Sequence, residues 1–341
     1  RRPSFRIILL WAILLGSTSA AACSGPESTS DQPAATPEPL SWDLLPHFPP
    51  KDADIRRPVA LWDLAVLDAN KVWVVGDHGV IGHTTNGGVD WVAQRSGLST
   101  NLHAVAFATD TDGWAGSADG TLLRTTDGGI TWNTIRMAGG VYSVDGIDFV
   151  SPTQGWVVSN ISGCIYATKD GGNSWAKQYG GSSQGLLDIT FLDDGLNGWA
   201  VGWRGTIVHT TDGGTTWTEQ HSGVDETVLK SVHFIDTTTG AVAGNDGVIL
   251  RTTDGGTTWT QQVSNTSESL EDIFFTDSQN GWAVGSDNVI LRTIDGGTTW
   301  WHQDTFATSG FILGVVFTSE DNGLAIGSNG QIWKVGPARG Q

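Results

Sequence analysis

Cysteine is nearly absent. Cys23 and Cys164 are the two in 341 residues, too few for a disulfide framework and too far apart for a Cys-x-x-Cys metal or redox motif. Basic residues are scarce as well. Eighteen Lys and Arg stand against 36 Asp and Glu, a formal net charge of −18, which argues against nucleic acid or an anionic membrane surface as the main ligand. The eight His include no H-x-x-x-H spacing. No Gly-rich phosphate loop or Ser-His-Asp arrangement is recognisable. No metal, cofactor or catalytic residue is therefore expected.

Long apolar runs are also missing, apart from Ile7 to Gly16, which follows Arg1, Arg2 and Arg6. That run is shorter than the roughly 20 residues a spanning helix needs, so it reads as a secretory signal. The small residues Ala20-Ala21-Ala22 before Cys23 resemble the bacterial lipobox, which implies cleavage after Ala22 and acylation of Cys23. Two or more acyl chains hold a protein stably at a membrane. Residues 24 to 39 are rich in Ser, Pro, Thr, Ala and acid and carry no apolar period, which is the composition of a disordered tether. The expected organisation is a signal peptide over 1–22, a lipidated Cys and tether over 23–39, one repeat domain over 40–336 and a tail over 337–341. With Cys23 acylated, Cys164 has no disulfide partner and is expected in the core.

What is abundant is Gly, 46 residues, and Trp, 17, against 3 Tyr and 1 Met. Such a balance points to many tight turns and one large aromatic recurring within a repeat. Six segments share a pattern: TTNGGVDW ending at Trp91, TTDGGITW at Trp132, TKDGGNSW at Trp175, TTDGGTTW at Trp217 and again at Trp259, and TIDGGTTW at Trp300, spaced 41 to 43 residues apart. A second element precedes each and occurs once more at the end, as KVWVVG, DGWAGS, QGWVVS, NGWAVG, TGAVAG, NGWAVG and NGLAIG. Within one unit, residues 229 to 262 break into four short alternating runs separated by turns, the signature of a four-stranded sheet. The expected fold is all-β, a seven-bladed β-propeller of four-stranded antiparallel blades. The seventh unit lacks the T-x-D-G-G-x-x-W segment. Residues 40 to 45 (LSWDLL) are expected to supply its outer strand and close the ring, which removes an exposed edge.

The repeated turn explains much of the acid. Asp127, Asp170, Asp212, Asp254 and Asp295 are expected to accept backbone N–H groups of their own turns, with Asn86 doing so uncharged, while the Gly-Gly pair permits positive φ. The following Trp91, Trp132, Trp175, Trp217, Trp259 and Trp300 are expected to cover the turn and pack toward a neighbouring blade. Six equivalent carboxamide or carboxylate groups cannot form one active site, so a structural role is assigned to all.

Function is sought instead on the opposite face, among the loops between second and third strands. Asp77, His78, Asp246 and Asp287 sit there in turn-forming company. Trp203 and Arg204 replace the usual small turn pair in one blade, and exposed Trp and Arg are favoured interface anchors.

The pattern T-x-D-G-G-x-x-W with G-W-A-V-G upstream is that of Asp-box, or BNR-type, propellers, and the single seven-unit ring over about residues 40 to 336 resembles the photosystem II assembly/stability factor family. That resemblance implies a non-catalytic, extracytoplasmic, membrane-attached protein that binds a protein client, a subunit of a membrane complex, as an assembly factor or scaffold. A monomer is expected. Family members carry an Arg patch on one face; here Arg124, Arg251 and Arg292 share one strand position, and Arg95, Arg136 and Arg204 lie in separate units. The alternative is a carbohydrate-binding or hydrolytic Asp-box propeller. A sialidase needs three converging Arg and a Tyr paired with Glu, yet Tyr142, Tyr166 and Tyr179 all fall within two neighbouring units.

Overall fold

The computed structural model describes residues 36–38, 40–45, 48, 59–137, 141–181, 184–303 and 310–337. The expected signal segment, Cys23 and most of the tether lie outside the described residues. The described chain forms seven four-stranded antiparallel sheets. β1 (Leu40–Leu44) comes first, and then each blade takes four consecutive strands. Blade 1 holds β2 (Leu61–Val66), β3 (Val72–Gly76), β4 (Val80–Thr84) and β5 (Val92–Arg95). Blade 2 holds β6 (Leu102–Phe107), β7 (Gly113–Ser117), β8 (Thr121–Thr125) and β9 (Asn133–Arg136). Blade 3 holds β10 (Gly146–Phe149), β11 (Gly155–Val158), β12 (Ile165–Thr168) and β13 (Ala176–Tyr179). Blade 4 holds β14 (Leu186–Phe191), β15 (Gly198–Gly202), β16 (Ile207–Thr210) and β17 (Thr218–Gln220). Blade 5 holds β18 (Leu229–Phe234), β19 (Gly240–Gly244), β20 (Ile249–Thr252) and β21 (Thr260–Gln262). Blade 6 holds β22 (Leu270–Phe275), β23 (Gly281–Gly285), β24 (Ile290–Thr293) and β25 (Trp301–His302). Blade 7 holds β26 (Ile312–Ser319), β27 (Asn322–Gly327) and β28 (Ile332–Pro337), one residue past the expected boundary, and its fourth strand is β1.

Closure is as the sequence suggests. β1 runs antiparallel to β28, with Leu40 opposite Pro337 and Leu44 opposite Trp333. The first and last described segments thus pair, and no blade is left with three strands and an open ladder of N–H and C=O groups.

The Trp in the second strand of a blade and the Phe that ends the first strand of the next blade are the joints of the ring. Trp73, Trp114, Trp156 and Trp199 are at most 1% exposed, and they stack on Phe107, Phe149, Phe191 and Phe234 with centroids 3.5 to 3.7 Å apart. The T-x-D-G-G-x-x-W tryptophans Trp132, Trp175, Trp217 and Trp259 meet the other side of those Phe rings edge-on. Edge-to-face contact is a favoured arrangement of aromatic quadrupoles, about 0.5–1.5 kcal/mol beyond area burial, and the near-parallel stacks bury the faces of both rings. Blade 7 lacks that segment, and Trp42 of β1 takes the edge-on place against Phe317, which Trp282 stacks on.

Each joint also carries a directed hydrogen bond. The indole N–H groups of Trp73, Trp114, Trp156 and Trp199 donate to the carbonyls of Gly128, Gly171, Gly213 and Gly255, the first Gly of the next blade's turn. In blade 5 the Trp is replaced by Ala241, and its cross-strand partner Arg251 donates through Nε to the Gly296 carbonyl at 2.5 Å. In blade 6 Arg292 donates through Nη1 to the Glu38 carbonyl at 2.7 Å, because the seventh blade has no such turn. At the last junction Lys334, opposite Leu324, donates through Nζ to the Gly87 carbonyl at 3.2 Å. Seven junctions thus use three donor chemistries for one job. Arg124, Arg251 and Arg292 belong to this register position, as do His83 and His209, which stack on Trp73 and Trp199 at 4.2 and 4.5 Å.

At the inner strands, Asp63, Asp148, Asp188 and Asp272 each accept a backbone N–H of the next blade, from Val105, Phe191, Val232 and Val315. The inner edge of each sheet would otherwise leave buried donors unpaired. Cys164 is 3% exposed, in a cluster with Trp114 and Phe149.

Candidate functional site

On one face lie the turns between third and fourth strands. In the turn of blade 2, Thr125 Oγ1 accepts the N–H groups of Asp127 and Gly129 and donates to Asp127 Oδ1, while the carboxylate of Asp127 accepts the N–H and Oγ of Thr131. Asp170, Asp212, Asp254 and Asp295 repeat the bond to the N–H four residues on, at 2.8 to 2.9 Å. The Ser174 hydroxyl and N–H hold the Asp170 carboxyl down at about 2, below its usual value. Asn86 accepts the same N–H, from Asp90, and its amide donates to the Asp90 carboxylate. The second Gly is required by shape as well as by φ: at Gly129, φ is +89° and a Cβ would lie 2.1 Å from Gln94 Oε1 of the preceding blade. Trp132 and Trp259 donate to Gln94 and Gln220 of the preceding blade, whereas Trp175 donates to Gly172 of its own turn. Trp91 lies beside Phe48, and Trp300 is 3% exposed against Phe275.

The opposite face carries the turns between second and third strands. Asp77–Gly79, Trp203–Gly205, Asn245–Gly247 and Ser286–Asn288 are superposable short 3-10 turns. Their central residues, His78, Arg204, Asp246 and Asp287, all have φ between 51° and 58° and are exposed. The first residue of each turn donates its N–H to the connector entering the same blade, at Ala60, Gly185, Val228 or Ser269. The backbone is thus the same in four blades, and the side chains are not.

Two of the candidate turns are joined by a continuous chain of contacts. Asp77 Oδ1 accepts the indole N–H of Trp62 at 2.8 Å, and the Trp62 ring meets His103 edge-on at 5.7 Å. His103 Nδ1 lies 3.1 Å from Asp145 Oδ1, and Asp145 Oδ2 accepts the Asn160 N–H at 2.6 Å. Asn160 Oδ1 then accepts the indole N–H of Trp203 at 2.6 Å. Beyond it, Arg204 pairs with Glu226 at 3.2 Å, both well exposed, so the pair adds little stability. Trp203 remains 46% exposed, with Ile161 at 63% and Tyr142 at 62% nearby in the chain of blade 3. Asp246 and Asp287, in blades 5 and 6, are not part of this arc. Sequence reasoning missed Trp62, His103 and Asp145, since each stands at a strand's leading edge where nothing but its difference from the other blades marks it.

A family model described as "Photosynthesis system II assembly factor YCF48" matches residues 180–268 and 259–309. The photosystem II assembly lipoprotein Ycf48 of Synechococcus sp. (strain CC9902) is 24% identical over 154 residues, 43% of this chain and 45% of that protein. The photosystem II stability/assembly factor HCF136 of Oryza sativa subsp. japonica is 34% identical over 70 residues, 20% of this chain and 17% of that protein. The matches therefore span less than half the length of either relative. YCF48 from Cyanidioschyzon merolae superposes with a TM-score of 0.70 at 20% identity, covering 86% of this chain and 98% of that one. A structure of YCF48 bound to D1 peptide gives 0.72 at 22% identity, covering 90% and 99%. The chain is a seven-bladed β-propeller that is similar, over residues 180–309, to photosystem II assembly factors.

The same architecture also serves enzymes, as a GH74 xyloglucanase from Xanthomonas campestris shows, with a TM-score of 0.66 at 12% identity. In this propeller, Tyr179 does donate to Glu219, at 2.8 Å. The pair bridges the outer strands of blades 3 and 4, away from the axis, and burial followed by the Glu219 hydrogen bond pushes Tyr179 up to about 12, the wrong direction for a nucleophile. Arg124, Arg251 and Arg292 lie between blades, and Arg95, Arg136 and Arg204 lie exposed in three separate blades. Among the described residues no group of three or more His, Cys, Asp or Glu is disposed to hold a metal ion.

Proposed function

We propose that this propeller is a non-catalytic, extracytoplasmic assembly factor or scaffold that binds a protein client, a subunit of a membrane complex, through the face bearing the turns between second and third strands. Residues 1–22 form its signal peptide, Cys23 carries the lipid anchor, 24–39 tether it, and the ring of 40–337 works as a monomer with 338–341 as a tail. The observation that carries the reading is Trp203, an indole left 46% exposed at a turn where the other three 3-10 turns place Asp, Asn or Ser. An exposed Trp beside Arg supplies large contact area with few torsions to freeze. The sequence match to assembly factors and the D1 peptide named with YCF48 support a protein client of that kind.

Calorimetric titration with a D1 peptide tests the reading. Binding that weakens at least tenfold in a Trp203→Ala, Arg204→Ala double variant, and holds in Asp254→Asn, is expected. Full affinity in the double variant contradicts it. The anchor is tested separately by radiolabelled palmitate, with incorporation expected in the full chain and absent from Cys23→Ala.

A further inference from the structure

The fold places one side chain per blade at a common level around the axis. In six blades the first strand is interrupted at the same register by a β-bulge, between Leu61 and Asp63, Leu102 and Ala104, Leu186 and Asp188, Leu229 and Ser231, Leu270 and Asp272, and Ile312 and Gly314. The bulged residues are Trp62, His103, Leu187, Lys230, Glu271 and Leu313. In blade 3 Asp145 stands at the matching position, just before β10. All seven line one axial cavity of about 160 Å³. A bulge re-aims a side chain and is a device used beside binding sites. Positions that build the ring repeat their residue type from blade to blade; this one does not.

The polar members are tied in neighbouring pairs. His103 meets Asp145 at 3.1 Å, and Lys230 Nζ meets both oxygens of Glu271 at 2.6 and 2.7 Å. Each pair fixes the direction of its donors and acceptors, and the Lys–Glu pair carries no net charge. Leu187 separates the pairs on one side, and Leu313 with Trp62 on the other. The Trp62 ring is held by its N–H bond to Asp77 and keeps 39% of its surface exposed. Deeper in the cavity, Asp63, Asp188 and Asp272 accept N–H groups of the next blade, so their carboxylates serve the fold rather than a cation.

A ligand for this mouth offers an apolar face to an indole and two Leu, and several hydroxyls to two hydrogen-bonded polar pairs, of which Lys230–Glu271 is charge-balanced. An ion at Lys230–Glu271 would have to strip that pair of its partner, which leaves a charge unpaired in a partly buried site. The volume, below that of pockets for drug-sized ligands, admits a single ring. We propose that the axial mouth binds a neutral, polyhydroxylated ring, one pyranose unit, through side chains other than Trp203 and Arg204.

The test is saturation-transfer NMR on the full chain with methyl β-glucoside, methyl β-galactoside and N-acetylglucosamine, and with acetate and tetramethylammonium as charged probes. Transfer to ring protons of at least one pyranoside is expected, with apparent affinity falling at least tenfold in Trp62→Ala and in Glu271→Gln, both checked for an unchanged melting profile, and holding in Trp203→Ala. No transfer from any pyranoside, binding of a charged probe alone, or pyranoside binding unchanged in folded Trp62→Ala or Glu271→Gln would each overturn the proposal. Because the D1 peptide titration uses Trp203 and this one spares it, either reading can fail without the other.

Discussion

On one face of the wheel, Asp127, Asp170, Asp212, Asp254 and Asp295 make the same hydrogen bond in five blades; on the other, four turns of identical backbone carry Asp77-His78, Trp203-Arg204, Asn245-Asp246 and Ser286-Asp287. The first face has no freedom left, because each side chain is committed to closing its turn or bracing the neighbouring blade. The second shares a main-chain geometry, to which Asp77 and Asn245 add side-chain bonds, and it leaves its central side chains, His78, Arg204, Asp246 and Asp287, exposed. Repetition therefore marks most of what holds the ring together, with Arg251, Arg292 and Lys334 as substitutes at its joints, and departure from repetition on the second face marks where the client is proposed to dock. Experiments that separate stability from binding sharpen or break this division.

The largest effect is expected from removing residues 40 to 45. Their loss takes away Trp42 from Phe317 and uncovers the edge of β28, and the thermal midpoint should fall by about 10 °C or more, as read by calorimetry. A midpoint unchanged by that deletion would mean that blade 7 stands without its fourth strand. Next in size is Arg292→Met, which removes the donor to Glu38 from a side chain 6% exposed; urea unfolding should show a loss of about 1–3 kcal/mol. Lys334→Met, at the half-buried closing junction, should lose about 1 kcal/mol in the same assay.

Acid comes after these. Burial holds the His83 and His209 imidazoles below the usual 6.5, so the folded state favours their neutral forms. Their contribution is complete above pH 6.5 and declines as the pH falls below it, because the unfolded chain then binds more protons. The melting midpoint should decline from pH 7 to 5, and the decline should flatten in His83→Gln, His209→Gln. The Asp-box carboxylates act lower: with Asp170 near 2, its share persists above the ordinary carboxylate value and is lost between about 4 and 2. A second drop in that window, monitored by circular dichroism, should shrink in Asp170→Asn.

The blade count, the turn chemistry and the closing strand were legible in the sequence because each repeats a residue type at a fixed interval, or, for LSWDLL, fills a gap in that interval. The exposed Trp203-Arg204 turn was legible for the opposite reason, as a break in the series. The joints were only half legible. Trp114 and Phe149 recur visibly, but that Arg251, Arg292 and Lys334 take over the indole's donor role depends on cross-strand register, which residue identity does not display. The inner Asp63, Asp148, Asp188 and Asp272 carry no sequence mark of their role, and their capping of the next blade needs the curvature of the closed ring. The axial seven were illegible because no two adjacent blades share a residue there.

Trp199 and Trp203 bring the comparison to one blade, four residues apart. Trp199 is fully buried on β15, stacked on Phe234, and Trp203 is 46% exposed on the following turn. Chemical denaturation of Trp199→Ala and Trp203→Ala, measured side by side, is predicted to give a loss of about 3–5 kcal/mol for the first and within about 0.5 kcal/mol of no change for the second. Comparable losses in the two variants would contradict the division between a face that builds the wheel and a face that binds.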